Sequence, residues 1–374
     1  MMSELLRIEN ISYQYDDTHG GSHGDSHGGS HGDLHDDMHG DMHGDLHGDM
    51  HGDLHDDLHG NTHGNTHGNT HGDSHVNSHD DRHGDMHGDR IWALYDVSVS
   101  FKTGELVAVL GNNGAGKSTF FLCCNGVLRP QRGKIFYRGK EIKTRKKDVY
   151  QIRRAVGLVF QDPDSQIIAG TVESEVSFGP MNLRLPNDEV ARRVERSMEL
   201  MDIAKYRGFA PHYLSGGEKK RVSIADILAM QPEIILLDEP TASLDPQNAD
   251  ALERIIYDLH KAGITVVIST HDVNFAYRVV KRAIVFADGK IIADADIDEV
   301  FARDDVLKKA GLRKPLLYEA FECLYAKATG ASNESNEARP PDKRDASETP
   351  LPPTIGTRRR PRTIEEFRLL CKNI

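Results

Sequence analysis

The chain has 374 residues and a formal charge of -12. The charge is uneven: seventeen aspartates against two arginines put the acidic excess in residues 16–90, and the remainder is slightly basic. Neither part has the clustered basic surface of a nucleic-acid binder, and no stretch is apolar over the length that a bilayer span needs.

The N-terminal run Met1-Met2-Ser3-Glu4-Leu5-Leu6-Arg7 lacks the basic and apolar regions of a secretory signal. Leu6 to Tyr13 has strand character, and Ala93 to Phe101 alternates as a half-buried strand does. Between them a histidine stands at every fourth position: His19, His23, His27, His31, His35, His39, His43, His47, His51, His55, His59, His63, His67, His71, His75, His79, His83 and His87. Glycine follows most of these histidines and disfavours a helix. Bulky apolar groups are too few to offset the entropy of ordering. Residues 16–90 are therefore expected to form a disordered, low-complexity insertion at a hairpin tip, where loop-closure cost grows only slowly with length.

Imidazole suits Co²⁺, Ni²⁺, Cu²⁺ and Zn²⁺, and the repeated aspartates add oxygen donors. A flexible chain would offer many weak sites rather than one preformed cage. The pattern fits cobalt or nickel binding by these histidines, and it fits equally a drifting repeat with incidental metal affinity.

Leu106 to Leu110 is a short apolar strand running into Gly111-Asn112-Asn113-Gly114-Ala115-Gly116-Lys117-Ser118-Thr119. This is the phosphate-loop pattern, and a helix from Ser118 supplies the context it requires. Its N–H groups would converge on an anion, with Lys117 against the outer phosphates and Ser118 on Mg²⁺. Cys123 and Cys124 are expected to pack behind the loop, and the spacing of Cys123, Cys124, Cys323 and Cys371 fits neither a disulfide framework nor a zinc site, as in a reducing compartment. Ala155 to Phe160 reads as a strand leading to Gln161, and residues 172–230 as a helical arm, with Asn187 capping a helix over 187–205.

In Leu214-Ser215-Gly216-Gly217-Glu218 the spacing of Ser215 and Glu218 makes a capping box, which does not account for the two glycines. Ile234 to Leu237 is a buried parallel strand that delivers Asp238 and Glu239 to its C-terminal edge. Thr265 to Thr270 delivers His271 to the same edge. A short helix is expected near Asp298–Phe301, a linker over 330–363, and a terminal helix from Thr363 to Leu370.

These runs in this order, with Ser243-Leu244-Asp245, resemble an ATP-binding subunit of an ABC transporter. Within that family the stretches Val159 to Ile167 and Val176 to Pro180 resemble the energy-coupling-factor group, in particular cobalt or nickel importer ATPases. The resemblance covers residues 4–15 and 91 to about 317. It implies an α/β P-loop core with a helical arm and an antiparallel strand region over residues 1–320, interrupted by 16–90 and followed by a linker and tail over 321–374.

The resemblance further implies ATP and Mg²⁺ as ligands. Glu239 would act on the attacking water, His271 would touch the terminal phosphate, Gln161 and Asp238 would serve Mg²⁺ (Asp238 through water), and Tyr15 would stack on adenine. Ser215, Gly216, Gly217, Glu218 and Asp245 would face the ATP of a second cassette. The subunit would sit on the cytoplasmic side of the cell membrane, held by transmembrane and substrate-binding partners. A vitamin importer of the same group is the alternative, and a soluble nucleotide-regulated metal-storage protein the more distant one.

Overall fold

The computed structural model describes residues 3–15, 92–242, 244–329 and 360–372. The histidine tract with all of its candidate metal ligands, Ser243, and most of the expected linker lie outside them.

The two strands that flank the tract pair as the sequence predicts. Strand β1 (Glu4–Tyr13) runs antiparallel to β2 (Leu94–Lys102), with Ile8 opposite Val99 and Tyr13 opposite Leu94. Strands β4 (Arg132–Tyr137) and β5 (Lys140–Glu141) extend this sheet in the order β2-β1-β4-β5.

The second sheet has six strands in the order β10-β9-β3-β8-β7-β6. These are β3 (Leu106–Leu110), β6 (Val156–Val159), β7 (Ile234–Asp238), β8 (Thr265–Thr270), β9 (Arg282–Ala287) and β10 (Lys290–Asp296). All pairings are parallel except that of β10 with β9. The near-continuous apolar strands follow from burial on both faces. Successive residues point to opposite sides, so Val107, Val109, Leu236 and Val267 join one core with the antiparallel sheet. Ala108, Leu110, Leu237 and Ile268 join a second core with the arm and the C-terminal helices.

Helix α1 (Lys117–Asn125) follows β3 and buries Cys123 and Cys124, while α2 (Lys146–Ala155) leads into β6. The arm consists of α3 (Val172–Asn182), α4 (Asn187–Leu200) and α5 (Gly216–Ala229). Asn187 is the first residue of α4 rather than its cap. Pro186 occupies the cap position, where its fixed φ suits entry into a helix. Ala155 closes α2 instead of opening the strand.

Helices α6 (Pro246–Lys261) and α7 (Val273–Val279) follow β7 and β8. Beyond the sheets come α8 (Ile297–Phe301), α9 (Asp304–Ala310), α10 (Leu316–Thr329) and α11 (Ile364–Cys371). Helix α10 runs across the boundary expected at 320, and its Tyr318 and Phe321 are buried. Thr363 caps α11, and the preceding Arg362 is buried, so this end of the chain docks. No helix among the described residues is long and apolar enough to cross a membrane.

Candidate nucleotide site

Strand β3 ends where the glycine-rich loop begins. Gly111 has φ 154 and Gly116 φ 101. A Cβ on Gly111 would lie 2.6 Å from the Phe286 carbonyl oxygen, and one on Gly116 2.7 Å from that of Ala93. No larger residue fits either place, so the loop can close tightly around an anion at the start of α1. Inside the loop the Lys117 ammonium donates to the carbonyls of Gly111 at 2.8 Å and Asn112 at 3.2 Å. Asn112, Asn113 and His271 line an open cleft beside it.

Strands β7 and β8 are neighbours, with Asp238 opposite Ser269. The Ser269 hydroxyl donates to Asp238 Oδ1 and fixes that carboxylate. The Glu239 N–H bonds the Ser269 carbonyl at 3.1 Å and lies 3.2 Å from Ser269 Oγ. Glu239 has φ 41, a left-handed conformation uncommon for a non-glycine residue. The chain turns abruptly at the strand end and carries the Glu239 side chain inward.

The Glu239 side chain is only 8% exposed. Its Oε1 lies 3.4 Å from Lys117 Nζ, and its Oε2 lies 3.0 Å from His271 Nδ1. Among the described residues no hydrogen-bond donor satisfies Oε1. The arrangement is a buried base with a cation on one side and, on the other, an imidazole that opens to the cleft. It can polarise a water while stabilising negative charge beside it.

The fold thus gathers Lys117, Asp238, Glu239 and His271 at one sheet edge. Ser118 lies on the first turn of α1, and Gln161 lies exposed just beyond β6. Carboxylate, hydroxyl and amide oxygens form the hard donor set that Mg²⁺ takes. Tyr15 is 45% exposed, packs edge-on against Tyr13, and places its hydroxyl 3.1 Å from Thr119 Oγ1.

Ser215, Gly216, Gly217, Glu218 and Asp245 form a separate cluster, in which Ser215, Gly216 and Asp245 are exposed and Gly217 is buried. Ser215 and Glu218 make the expected capping box of α5. The Glu218 carboxyl is held below its usual range, first by the Tyr206 phenol and then by the Ser215 N–H. Asp245 caps α6 and accepts the Asn248 N–H at 3.0 Å. A Cβ on Gly217 would lie 2.5 Å from Asn248 Cγ, so the two runs adjoin. Sequence patterning does not single out Ser269, Asn248, Tyr206 or Lys220; only Ser269 carries a signal, its place at a strand end beside His271. Among the described residues no group of three or more His, Cys, Asp or Glu side chains is placed to hold a metal ion.

The chain matches the ABC transporter family over residues 94–242. It is 48% identical over 234 residues to the energy-coupling factor transporter ATP-binding protein EcfA of Methanocaldococcus jannaschii, covering 63% of this chain and 84% of that one. It is similar to the structure of cbiO1 from Clostridium perfringens, part of the ABC transporter complex cbiONQ. That match has 38% identity and a TM-score of 0.55, over 63% of this chain and 95% of the other. The dimeric ATP-binding cassette MJ0796, in a post-hydrolysis state bound to ADP and Pi, matches with 29% identity and a TM-score of 0.52, over 57% and 94%.

Proposed function

The chain belongs to the ATP-binding subunits of ABC transporters, and from that membership we propose that the sheet edge around Glu239 is the hydrolytic centre of an energy-coupling subunit serving a cobalt or nickel importer. Lys117 and the loop amides of 111–119 hold the outer phosphates, and Tyr15 offers its ring to the adenine. Ser118 and Gln161 would hold Mg²⁺, with Asp238 acting through its water, and the ion when bound would neutralise phosphate charge. Glu239 accepts a proton from the attacking water, and His271, bonded to that carboxylate, orients it toward the terminal phosphate. The single observation behind the hydrolytic assignment is the Glu239 carboxylate clasped between Lys117 and His271.

The surface formed by Ser215, Gly216 and Asp245, with Gly217 buried beneath it, completes the site of a second cassette. ATP then closes a dimer, and hydrolysis reopens it. The dimeric cassette among the matches supports this arrangement. Membrane subunits bind the arm near residues 162–180 and keep the protein on the cytoplasmic face. Glu239→Gln keeps shape and hydrogen bonding but loses the base. It is expected to bind MgATP, trap a dimer and turn over at background rate. Full turnover by this variant would remove Glu239 from the chemistry.

The metal assignment rests on the histidine tract and on the stretches Val159 to Ile167 and Val176 to Pro180. The tract retains metal on the cytoplasmic side, while the membrane partners choose what crosses. Its imidazoles release metal as pH falls through roughly 6.5. Calorimetric titration of Co²⁺ and Ni²⁺ into the protein and a 16–90 deletion, with uptake by cells carrying each, tests both statements. Unchanged binding after deletion refutes the ligands, and a switch of transported ion puts the tract in the selectivity path. Co-purification with a vitamin-binding membrane subunit instead would favour the alternative importer.

A further inference from the structure

Lys220 stands on the second turn of α5, just past the capping box, and is 2% exposed. Its ammonium reaches out of the arm into the sheet edge. There it donates to the Phe160 carbonyl at 2.8 Å and the Gln161 carbonyl at 2.7 Å. These are the first two carbonyls beyond β6. Other bonds join the same two segments. Gln166 Nε2 donates to the Ser223 carbonyl at 3.0 Å, and Lys219 bonds Asp164 at 2.6 Å. Lys220 differs from both in gripping the backbone of Gln161 itself.

Burying an ammonium is costly, and neutral carbonyls compensate only part of that cost. Burial pushes the Lys220 amine down to about 8, against the pull of Asp238 and Asp162. An apolar side chain of the same length would fill the space without that penalty. A charged donor shared by two successive carbonyls fixes the orientation of the Gln161 peptide, and so the direction in which the Gln161 side chain leaves the strand end.

We propose that Lys220 is a positioning residue: it ties the end of α5 that carries Ser215, Gly216 and Gly217 to the backbone of Gln161, so that the metal-facing side of one nucleotide site moves with the surface offered to the other. The inference rests on the roles given above to Gln161 and Ser215. A lysine that only filled a buried gap would affect stability alone. A lysine that aims Gln161 acts on turnover through that side chain.

The test is a double-mutant cycle in the full-length protein, with kcat, the KM for MgATP and the Mg²⁺ dependence of ATPase measured for each variant. Lys220→Met removes the donor and keeps the length. It is expected to lower kcat at least tenfold and to raise the Mg²⁺ needed for half-maximal rate severalfold. Lys220→Gln, whose amide can still donate, is expected to recover part of both losses. In a Gln161→Ala background, Lys220→Met is expected to cost less than twofold further.

A Met variant with a lower melting temperature but unchanged kcat and Mg²⁺ dependence overturns the proposal, as do additive losses in the cycle. If Lys220→Met does not fold, the same cycle run with Lys220→Gln decides by the same criterion. Should Gln161→Ala itself leave the Mg²⁺ dependence unchanged, the role given to Gln161 falls, and the proposal with it. That outcome is distinct from one in which Gln161→Ala acts and the Lys220 variants do not.

Discussion

The sheet edge and the helical arm both bury charge, but they handle it in opposite ways. At the edge, Lys117, Glu239 and His271 face one another, and the carboxylate has a cation within 3.4 Å. In the arm, Glu175 on α3 and Asp226 on α5 are two acids, and among the described residues neither has an ion-pair partner. Glu175 Oε2 accepts the N–H groups of Ile168 at 3.0 Å and Ala169 at 2.6 Å. Asp226 accepts a long contact, at 3.5 Å, from Gln166 Nε2. Burial first, and then the neighbouring Glu175, push the Asp226 carboxyl up to about 8. The edge keeps charge for use, whereas at Asp226 burial favours the protonated carboxyl. Removing a charge should therefore cost activity at the edge, and removing a titratable group should improve stability in the arm.

The largest effect is expected from Lys117→Ala. It removes the donor to the phosphates and leaves the buried Glu239 without its cation. ATPase turnover should fall about a hundred- to a thousandfold, and nucleotide binding should weaken, as steady-state kinetics and equilibrium titration would show. Near-normal turnover would mean that the cation contributes nothing to the chemistry, and the contrast with the arm would disappear.

Ser269→Ala sharpens the contrast within the edge. It deletes the hydroxyl that holds Asp238 and touches the Glu239 N–H. Outer partners of metal-organising groups are typically worth about 10- to 100-fold. A drop in that range in kcat or Mg²⁺ affinity, with the fold intact by circular dichroism, is the expected result.

What was legible in the sequence divides along the same line. The phosphate loop could be read because its demands are local: Gly111 and Gly116 stand where a Cβ would strike backbone. The meeting of Glu239 with His271 was legible one step further out, because two buried parallel strands end at a common edge. The arm's acids were not, since nothing in the spacing of Glu175 and Asp226 reports that α3 packs on α5. Lys220 was hidden for the same reason. Asn187 misled because the preference of asparagine for caps was outweighed by Pro186, the adjacent residue with fixed φ. The surface on which the C-terminal helix docks was not legible, because Arg362 reaches backbone carbonyls and the distant Asp298, which leave no mark in local composition.

Asp226→Asn tests the arm. The folded acid has its pKa raised from 3.8 to about 8, while the unfolded chain ionises near the lower value. The folded state therefore binds the extra proton between these limits, and stability falls as pH rises through the window. Each pH unit is worth up to about 1.4 kcal/mol. Asparagine does not titrate. The variant should gain on the wild type steadily from pH 4 to 8, read as the difference between denaturant midpoints at each pH. A constant difference across that range would show that Asp226 is ionised in the folded protein.

The smallest effect is expected at Arg362, where a buried cation serves neither chemistry nor proton storage. It donates to the carbonyls of Tyr277 and Val280 at the end of α7, and to Asp298 Oδ2 at 2.9 Å. Its guanidinium also lies 5.2 Å from the centre of the Tyr277 ring. It satisfies carbonyls that the helix leaves unpaired and pins residues 360–372 in place. Arg362→Ala should cost about 1–3 kcal/mol of stability in chemical denaturation. Arg362→Lys should restore only part of it, because an ammonium lacks the planar fork that reaches several acceptors at once. At a temperature where both proteins are fully folded, ATPase rates should agree within about twofold, as for a change that acts on stability away from the reacting atoms. A larger loss would carry a different meaning. Helix α7 begins just after His271, and its Asn274 side chain already accepts the Leu316 N–H at 2.8 Å. A rate effect at Arg362 would then pass along α7 to His271 and make the C-terminal segment part of the hydrolytic centre.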